Sequence, residues 1–545
     1  MPNQTYDAVS LAIMWDRLIS VTDEIVSTLV RTSFSTIVRE SYDLSVVLLD
    51  ADGKLMAQGS FSVPVFIGTA PRTLRYMLDK FPPKTLRPGD VIATNDPWMG
   101  TGHIFDISVM RPVFRGDRLI GYTMSITHLP DIGGLGFGAA ATEIFHEGLR
   151  LPICKLANQG VLDPFILELI ETNVRVPDQT LGDLLANVTC NEVGGRQLLD
   201  FMDEYGVEDL GPLSEAIRAQ SERAMRDKIA EIKNGAYRHE IQIEGVEAPI
   251  TLACTVTVED EDIHADFTGT GGCVRHGINV PLCYTNAMTL YSIKCLTAAT
   301  IPNNEGFTRP VKVSAPEGCL LNAQPPSPTG GRHIIGHFVP SLIFGALADA
   351  APDKVQADCG MMDLMTIQGT APNGRGVSTI YFSAGGFGAL SGQDGHDATP
   401  GPSNMAVVPV ETWESLTGMT VLDKKFVPDS GGPGAARGGV GQTVALRNDS
   451  GHPMTVFCMA NRTEFPPVGY HGGKPGRMRE HKINGETVHP KGSYVLRDGD
   501  TISLTQAGGG GIGDPNDRAK EKVLADVRDG FVTTEGARRD YAMEI

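Results

Sequence analysis

Basic residues are scarce in this chain: 46 Lys and Arg stand against 65 Asp and Glu in 545 residues, a formal charge of −19. Phosphate contact needs a concentrated basic face, and no Lys/Arg run supplies one, which excludes a nucleic-acid partner. The nine Cys are odd in number, scattered and never in a C-x-x-C pair. They read as reduced, mostly buried thiols rather than a disulfide framework or a zinc ribbon. No uninterrupted apolar stretch reaches membrane-spanning length. Residues 1–7 lack the positive start and apolar core of a secretory leader. A cytoplasmic protein without membrane association is the expectation. The G-x-x-x-x-G-K-[ST] loop that cradles nucleotide phosphates is missing, and so is the G-x-S-x-G elbow of a serine nucleophile.

Glycine is plentiful, with 63 residues, and Pro numbers 35. Both fall in clustered turns without a repeat of fixed period. The length exceeds what one core usually organises. Helical spacing marks residues 8–36 and 71–81, and dominates 160–233. Leu44–Leu49 and Lys54–Gln58, flanking Asp50-Ala-Asp-Gly53, read as a β-hairpin. Short strands are expected at 91–94, 107–113 and 118–127. Near 235 the pattern turns to antiparallel alternation at 237–243, 250–258 and 262–267. Helices are expected around 285–299 and 338–351, a strand near 309–315, and a last helix at about 517–529. The fold class is α+β, multidomain, with mostly antiparallel sheets and Gly-rich loops. Its expected units are a 1–235 domain bearing the site described next, a central α+β domain at 236–370, and a β-rich 371–545 domain with a terminal helix.

His103, Asp106 and His128 carry the most chemistry. Two imidazoles and a carboxylate supply three ligands and leave positions open, as a catalytic metal requires, and Zn, Mn or Fe all suit the set. The three emerge from strand ends and adjoining loops, and Asp43, at another strand entrance, is a candidate fourth ligand. The alternative that these are hydrogen-bonded polar residues shaping Gly-rich turns stays open on spacing alone. Asp131 fits the Asp-Ile-Gly-Gly turn or a contact behind an imidazole. Asp394-Gly-His-Asp397 is a second cluster that could line a pocket with His333 or His337. Arg437 could bind an anion, though turn architecture accounts for it better. Gly508-Gly-Gly-Gly-Ile-Gly513 formally matches G-x-G-x-x-G, but Asp514 and Asp517 put negative charge where a pyrophosphate would sit, so it reads as a structural loop. Cys273, Cys283 and Cys359 read as structural thiols.

Taken in order, Ser41-Tyr-Asp-Leu-Ser45, Asn95-Asp-Pro97, Gly102-His-Ile-Phe-Asp106 and His128-Leu-Pro-Asp-Ile-Gly-Gly134 form a series. It continues through Glu147-Gly148, Asn303-Asn-Glu-Gly306, Gly385-Gly-Phe-Gly-Ala389, Asp429-Ser-Gly-Gly-Pro-Gly434 and Gly511-Ile-Gly-Asp-Pro515. This series resembles the hydantoinase B/oxoprolinase family over essentially the whole chain. The resemblance implies a B-type subunit of an ATP-dependent hydantoinase or lactamase, working in a hetero-oligomer such as a heterotetramer with a hydantoinase A-type ATPase subunit. That partner binds ATP and phosphorylates a cyclic amide, and this chain completes its hydrolysis with water at a divalent metal. The family's metal motif falls on His103, Asp106 and His128, with Asp43 a less certain fourth. Glu147 or Asp131 is the expected base or orienting residue. Related alpha-type subunits serve acetone and acetophenone carboxylases, so a ketone carboxylase subunit is the runner-up and a non-catalytic scaffold for the ATPase the third reading. Phe66 and Leu129 stand where many relatives carry His, which implies a less polar or differently oriented substrate.

Overall fold

The turn at Asp50–Gly53 opens the sheet on which the candidate site is built. The Asp50 carboxylate accepts from the backbone N–H of Asp52 and Lys54 at 3.0 and 2.8 Å, and Gly53 takes φ 74, the left-handed geometry that a D-G turn requires. The computed structural model describes residues 6–544; most of the segment read for a leader lies outside them. Seven strands follow in sequence: β1 Leu44–Asp50, β2 Leu55–Gln58, β3 Val91–Thr94, β4 Asp106–Arg115, β5 Arg118–His128, β6 Cys154–Asn158 and β7 Val161–Leu162. They pair antiparallel throughout in the order β2-β1-β5-β4-β3-β6-β7.

Alternation along β5 sorts its side chains to two faces. Thr123, Ser125 and Thr127 meet the helix Pro177–Glu204. Asn191 Nδ2 donates to Ser125 Oγ at 2.6 Å, Asn187 Nδ2 donates to Thr127 Oγ1 at 2.8 Å, and Thr123 Oγ1 donates to the Asn191 carbonyl at 2.9 Å. The helix Ala8–Thr32 packs beside this one through Leu18, Val21, Ile25 and Leu29, all fully buried. Close approach is possible because Gly194 has no side chain: a Cβ there would lie 2.3 Å from Ile25 Cδ1. Tyr122, Met124 and Ile126 join the largest apolar core, which also includes Leu252, Met288, Leu342 and Met459. That core therefore crosses both expected boundaries, 235 and 370.

Beyond Gly235, three antiparallel strands (Gly235–Ile243, Ile250–Glu259, Asp262–Asp266) are extended by Val311–Ser314, which pairs parallel. A four-stranded and a five-stranded antiparallel sheet complete the chain. Several expected boundaries shift. The first helix stops at Thr32, since Ser33-Phe34 break it and the Asp183 carboxylate accepts from the N–H groups of Phe34 and Ser35. Cys154–Asn158 and Val161–Leu162 are strands, too short to register a period. A helix Thr534–Tyr541 follows the expected last one, which spans Lys520–Arg528. Among the described residues no helix is long and apolar enough to cross a membrane.

The glycine clusters of the C-terminal half lie against one another. Gly509 N–H donates to the Gly439 carbonyl, Gly439 N–H to Phe387, and Gly432 N–H to Gly509, at 2.9, 2.8 and 2.7 Å. A Cβ on Gly386 would sit 1.8 Å from the Gly439 oxygen, and one on Gly508 1.8 Å from the Ser430 oxygen. These glycines are needed because backbone touches backbone. Gly508–Gly513 is one layer of this stack, which accounts for its formal dinucleotide spacing. Gly508→Ala is expected to destabilise the protein by at least about 1–3 kcal/mol, the usual cost of overpacking. The check is the denaturant midpoint; an unchanged midpoint would contradict the contact.

Candidate metal centre

Strand register brings the first two ligands together. Asp106 opens β4, His128 closes β5, and the two are direct cross-strand partners, so their side chains share one face. His103 lies three residues before Asp106, in a loop anchored by Asn95. The Asn95 amide donates to the carbonyls of Ile104 and Leu149 at 2.7 and 2.9 Å, and its oxygen accepts from Leu151 N–H at 2.6 Å. Gly102, at φ 97, lets the loop pass against Arg332 and Tyr284: a Cβ there would stand 2.8 Å from Arg332 Cδ and 3.0 Å from Tyr284 Cβ.

One ligating atom from each of His103, Asp106 and His128 lies within 4.8 Å of the others, and all three residues are buried. Hydrogen bonding settles which atoms are free. His103 Nδ1 lies 3.1 Å from the Gly330 carbonyl, and His128 Nδ1 lies 2.9 Å from that of Leu129. A carbonyl only accepts, so each Nδ1 carries the proton and each Nε2 is a bare lone pair. Both Nε2 atoms and Asp106 Oδ1 are buried without a hydrogen-bond partner. His103 Nε2 nevertheless sits 2.9 Å from Asp106 Oδ1: two acceptors face each other. A cation among the three atoms resolves that repulsion, and the donor set suits one.

The other carboxylate oxygen is committed. Asp106 Oδ2 accepts from Thr101 Oγ1 at 2.5 Å and from Arg332 Nη2 at 2.8 Å. Arg332 also donates through Nε to the Thr101 carbonyl at 2.7 Å and lies 4.3 Å over the Tyr284 ring. Burial pushes the Asp106 carboxyl up, but His103, Arg332 and His128 together hold it well below the usual carboxylate range. Burial pushes His128 down to about 3 and also lowers His103, aided by Arg332. Neutral imidazoles and an ionised carboxylate are the protonation states a metal needs.

Asp43 lines the same cavity of about 30 Å³ as the three ligands. It stands apart from their tight convergence, and its carboxyl is raised by burial and by the charge of Asp106, against Arg332. Glu147 does not line the cavity. Its Oε1 accepts from the N–H groups of Thr329 and Gly330 at 2.6 and 2.7 Å, so it rivets the segment whose carbonyl orients His103. Burial raises its carboxyl to about 8, against those two donors and Arg332. Asp131 is not brought to the cavity either. It binds Arg175 Nη1 at 2.8 Å, accepts from the Arg175 backbone N–H, and takes Gly133 N–H at 3.2 Å. Its job is to tie the turn after β5 to the segment before Pro177–Glu204.

His333 and His337 do line the cavity of the candidate ligands, but not with the Asp394–Asp397 cluster. Asp394 pairs with Arg518 at 2.6 and 2.9 Å, and Asp397 accepts from Val440 N–H at 2.7 Å. Arg437 is held by the Gly438 carbonyl at 2.7 Å and by Asp397 and Asp526 at 3.3 and 3.4 Å, so it is not free for an anion. Phe66 and Leu129 are buried in the apolar core and do not line the cavity. Arg332, His333 and His337 escaped the reading of the sequence for this site. The available signal was the i, i+4 spacing of the two His, which places both on one helical face. All nine Cys are free; burial raises Cys283 to about 11 and Cys359 to about 12, as inert thiols require.

Comparison with known proteins places this geometry in context. The chain is 30% identical to the B component of a putative D-/L-hydantoinase of Pseudomonas sp. (strain NS671), covering 99% of this chain and 95% of that one. It is also 30% identical to the beta chain of the caprolactamase of Pseudomonas jessenii, over 99% and 97%. With 5-oxoprolinase 1 of Arabidopsis thaliana the identity is 26%, and the match covers 93% of this chain but 42% of that one. The crystal structure of ATP-dependent caprolactamase from Pseudomonas jessenii superposes with TM-score 0.91 at 27% identity, covering 99% and 97% of the two chains. A nucleotide-free acetone carboxylase structure shares the fold, with TM-score 0.88 at 19% identity over 97% of this chain and 79% of that one. A family model for hydantoinase B/oxoprolinase matches residues 7–515, and the chain belongs to that family.

Proposed function

We propose that this chain is the B-type subunit of an ATP-dependent cyclic-amide hydrolase and acts on a hydantoin or lactam that a hydantoinase A-type partner has phosphorylated. The observation that carries the reading is the convergence of three buried, partnerless ligand atoms. It occurs in a chain that aligns end to end with the B component of a hydantoinase and the beta chain of a caprolactamase. His103, Asp106 and His128 would hold a divalent ion, with Asp43 as the fourth candidate. When bound, such an ion would polarise the reacting group and lower the pKa of a water molecule.

The chain's own residues supply orientation and dryness. The Gly330 carbonyl fixes the His103 tautomer, Glu147 fixes Gly330, and Arg332 fixes the Asp106 carboxylate. Phe137, Leu364 and Phe382 wall the cavity and limit the water that reaches an activated amide. A cyclic amide resists water because nitrogen donates into its carbonyl. Phosphorylation of the oxygen leaves a C=N carbon open to attack, which is the reason for ATP. The partner would supply that step in a hetero-oligomer, a reading supported by the match to the B component of a hydantoinase and the beta chain of a caprolactamase. A ketone carboxylase reading has a weaker basis, because the acetone carboxylase match at 19% identity carries the fold alone.

The purified chain is expected to hold about one divalent ion, with His103→Ala losing it and slowing ring opening by more than about 10²-fold in the reconstituted complex. Elemental analysis beside a hydantoin and lactam assay checks this; normal turnover without metal would refute the metal's role. The chain alone should leave these substrates intact without partner and ATP. Glu147→Ala, which removes the acceptor that holds the Thr329 and Gly330 N–H groups, should weaken metal retention by about 10–100-fold without abolishing it, as expected for a residue that orients a ligand from behind. Competition with a chelator reads this out.

A further inference from the structure

We propose that His333 is a catalytic residue of this site that contacts the substrate and relays protons between the attacking water and the ring nitrogen. The inference rests on the cyclic-amide reading above.

C–N cleavage in a ring amide needs a proton on nitrogen, and the attacking water must lose one. Neither residue expected for that work lines the cavity: Glu147 Oε1 is held by a backbone turn, and Asp131 is paired with Arg175. His333 is placed for it. It is 6% exposed, lines the cavity that holds the three ligands, and its Nε2 is buried without a hydrogen-bond partner. An unpaired buried polar atom is costly to leave without a partner, and a substrate that takes the hydrogen bond recovers that cost.

The position of His333 is tied to the metal centre by its chain neighbour. Arg332 is anchored to Asp106 and Thr101, so the first turn of the short helix Arg332–Gly336 is docked on the ligand loop. Phe137 packs on the imidazoles of His103, His128 and His333 with ring centroids 5.6, 4.9 and 5.6 Å away. The His337 ring, 5.7 Å from His333, backs it on the next turn. His333 thus has a fixed place in the cavity, a free nitrogen and no structural bond to break.

The chemistry balances without any redox partner. Water adds across the C=N bond of the phosphorylated amide: its oxygen bonds to carbon, and one proton passes through His333 to the ring nitrogen. The C–N bond then breaks with its electron pair going to nitrogen, and the remaining hydroxyl proton follows the same route. The products are an amine and an acyl phosphate, which a second water converts to carboxylate and phosphate. His333 stays neutral throughout, taking up one proton as it gives up another, because burial, with His337 and Arg332 beside it, holds its imidazole well below the usual histidine range.

The test uses the complex reconstituted with its ATPase partner, ATP, and a panel of hydantoins and aliphatic lactams. His333→Phe and His333→Gln are measured for kcat, KM, metal content and denaturant midpoint. His333→Phe keeps a ring but carries no proton, and His333→Gln keeps hydrogen bonding without relay. Both should retain the ion at wild-type stoichiometry and lose about 10²–10⁴-fold in kcat, the usual contribution of acid–base catalysis, with KM changed much less. Turnover within about threefold of wild type in either folded variant overturns the relay, since acid–base contributions start near 10²-fold. Loss of the ion from a folded variant overturns it too, by making His333 a metal ligand. A wild-type complex that opens no cyclic amide would instead sink the functional reading itself.

Discussion

Two acceptors held 2.9 Å apart in a water-poor site are the constraint on which the rest of this structure turns. His103 Nε2 and Asp106 Oδ1 repel each other as drawn, and the fold holds them there all the same. It does so by committing every other polar atom of the two side chains to neighbours. His103 Nδ1 is fixed by Gly330, and Asp106 Oδ2 by Thr101 and Arg332. A proton on His103 Nε2 would relieve the repulsion, and Asp106 and the Gly330 carbonyl favour it, but burial and the Arg332 charge outweigh them and hold the imidazole below its usual range. What fits is a cation that draws on all three free lone pairs at once.

The architecture can be seen as the support for that convergence. An antiparallel ladder makes Asp106 and His128 neighbours across two hydrogen-bonded strands, which limits their relative movement far more than a loop would. Helix Pro177–Glu204, with Ala8–Thr32 packed beside it, braces the opposite face through Asn187 and Asn191, whose side chains bond strand hydroxyls rather than leaving them unpaired. The C-terminal half is part of the site as well. Leu364 and Phe382 reach the cavity from the sheet strands Met362–Thr370 and Gly376–Ala384. Those strands run into the glycine stack, where carbonyls press on positions that a side chain would fill. The stack thus braces the cavity wall opposite the ligands.

The parts of this arrangement governed by local rules were legible in the chain. The D-G hairpin, the strands on either side of residue 116, and the placing of Asp106 and His128 at strand ends follow from period-two alternation and turn chemistry, and His103, Asp106 and His128 do converge. Contacts across hundreds of residues were not legible. Arg332 meets Asp106 over a separation of 226 positions, and it sits on a five-residue helix too short to show a period. Asp131 invites a role at the metal by standing three residues beyond His128. Its partner, Arg175, lies 44 residues further on, and nothing local announces that pairing. Glu147 stands in the chain far from Thr329 and Gly330, whose N–H groups donate to it, so its expected base or orienting role came from the family resemblance and its actual partners from no local pattern. The G-x-G-x-x-G spacing misleads for the opposite reason: glycine marks any close backbone approach, to a phosphate or to another loop.

A cavity of about 30 Å³ next to the ligands has room for a water molecule but not for a five- or seven-membered ring. Under the proposed function this tightness has a chemical use. A phosphorylated amide formed on the partner is prone to wasteful hydrolysis back to the cyclic amide and phosphate, because loss of phosphate competes with loss of the ring nitrogen. Which bond breaks depends on which leaving group receives a proton. A cavity that admits few waters, with one unpaired imidazole on its wall besides the two candidate metal ligands, biases that choice toward nitrogen. Entry of the ring then requires wall side chains to move, and the mobile candidates are the flexible ones: Met362 and Met405 both line the cavity, and unbranched thioether chains rearrange at little cost. The ligand side of the same cavity has no such freedom. One rigid wall and one adaptable wall is the arrangement expected of a site that must hold an ion in fixed geometry while accepting a ring larger than its resting volume.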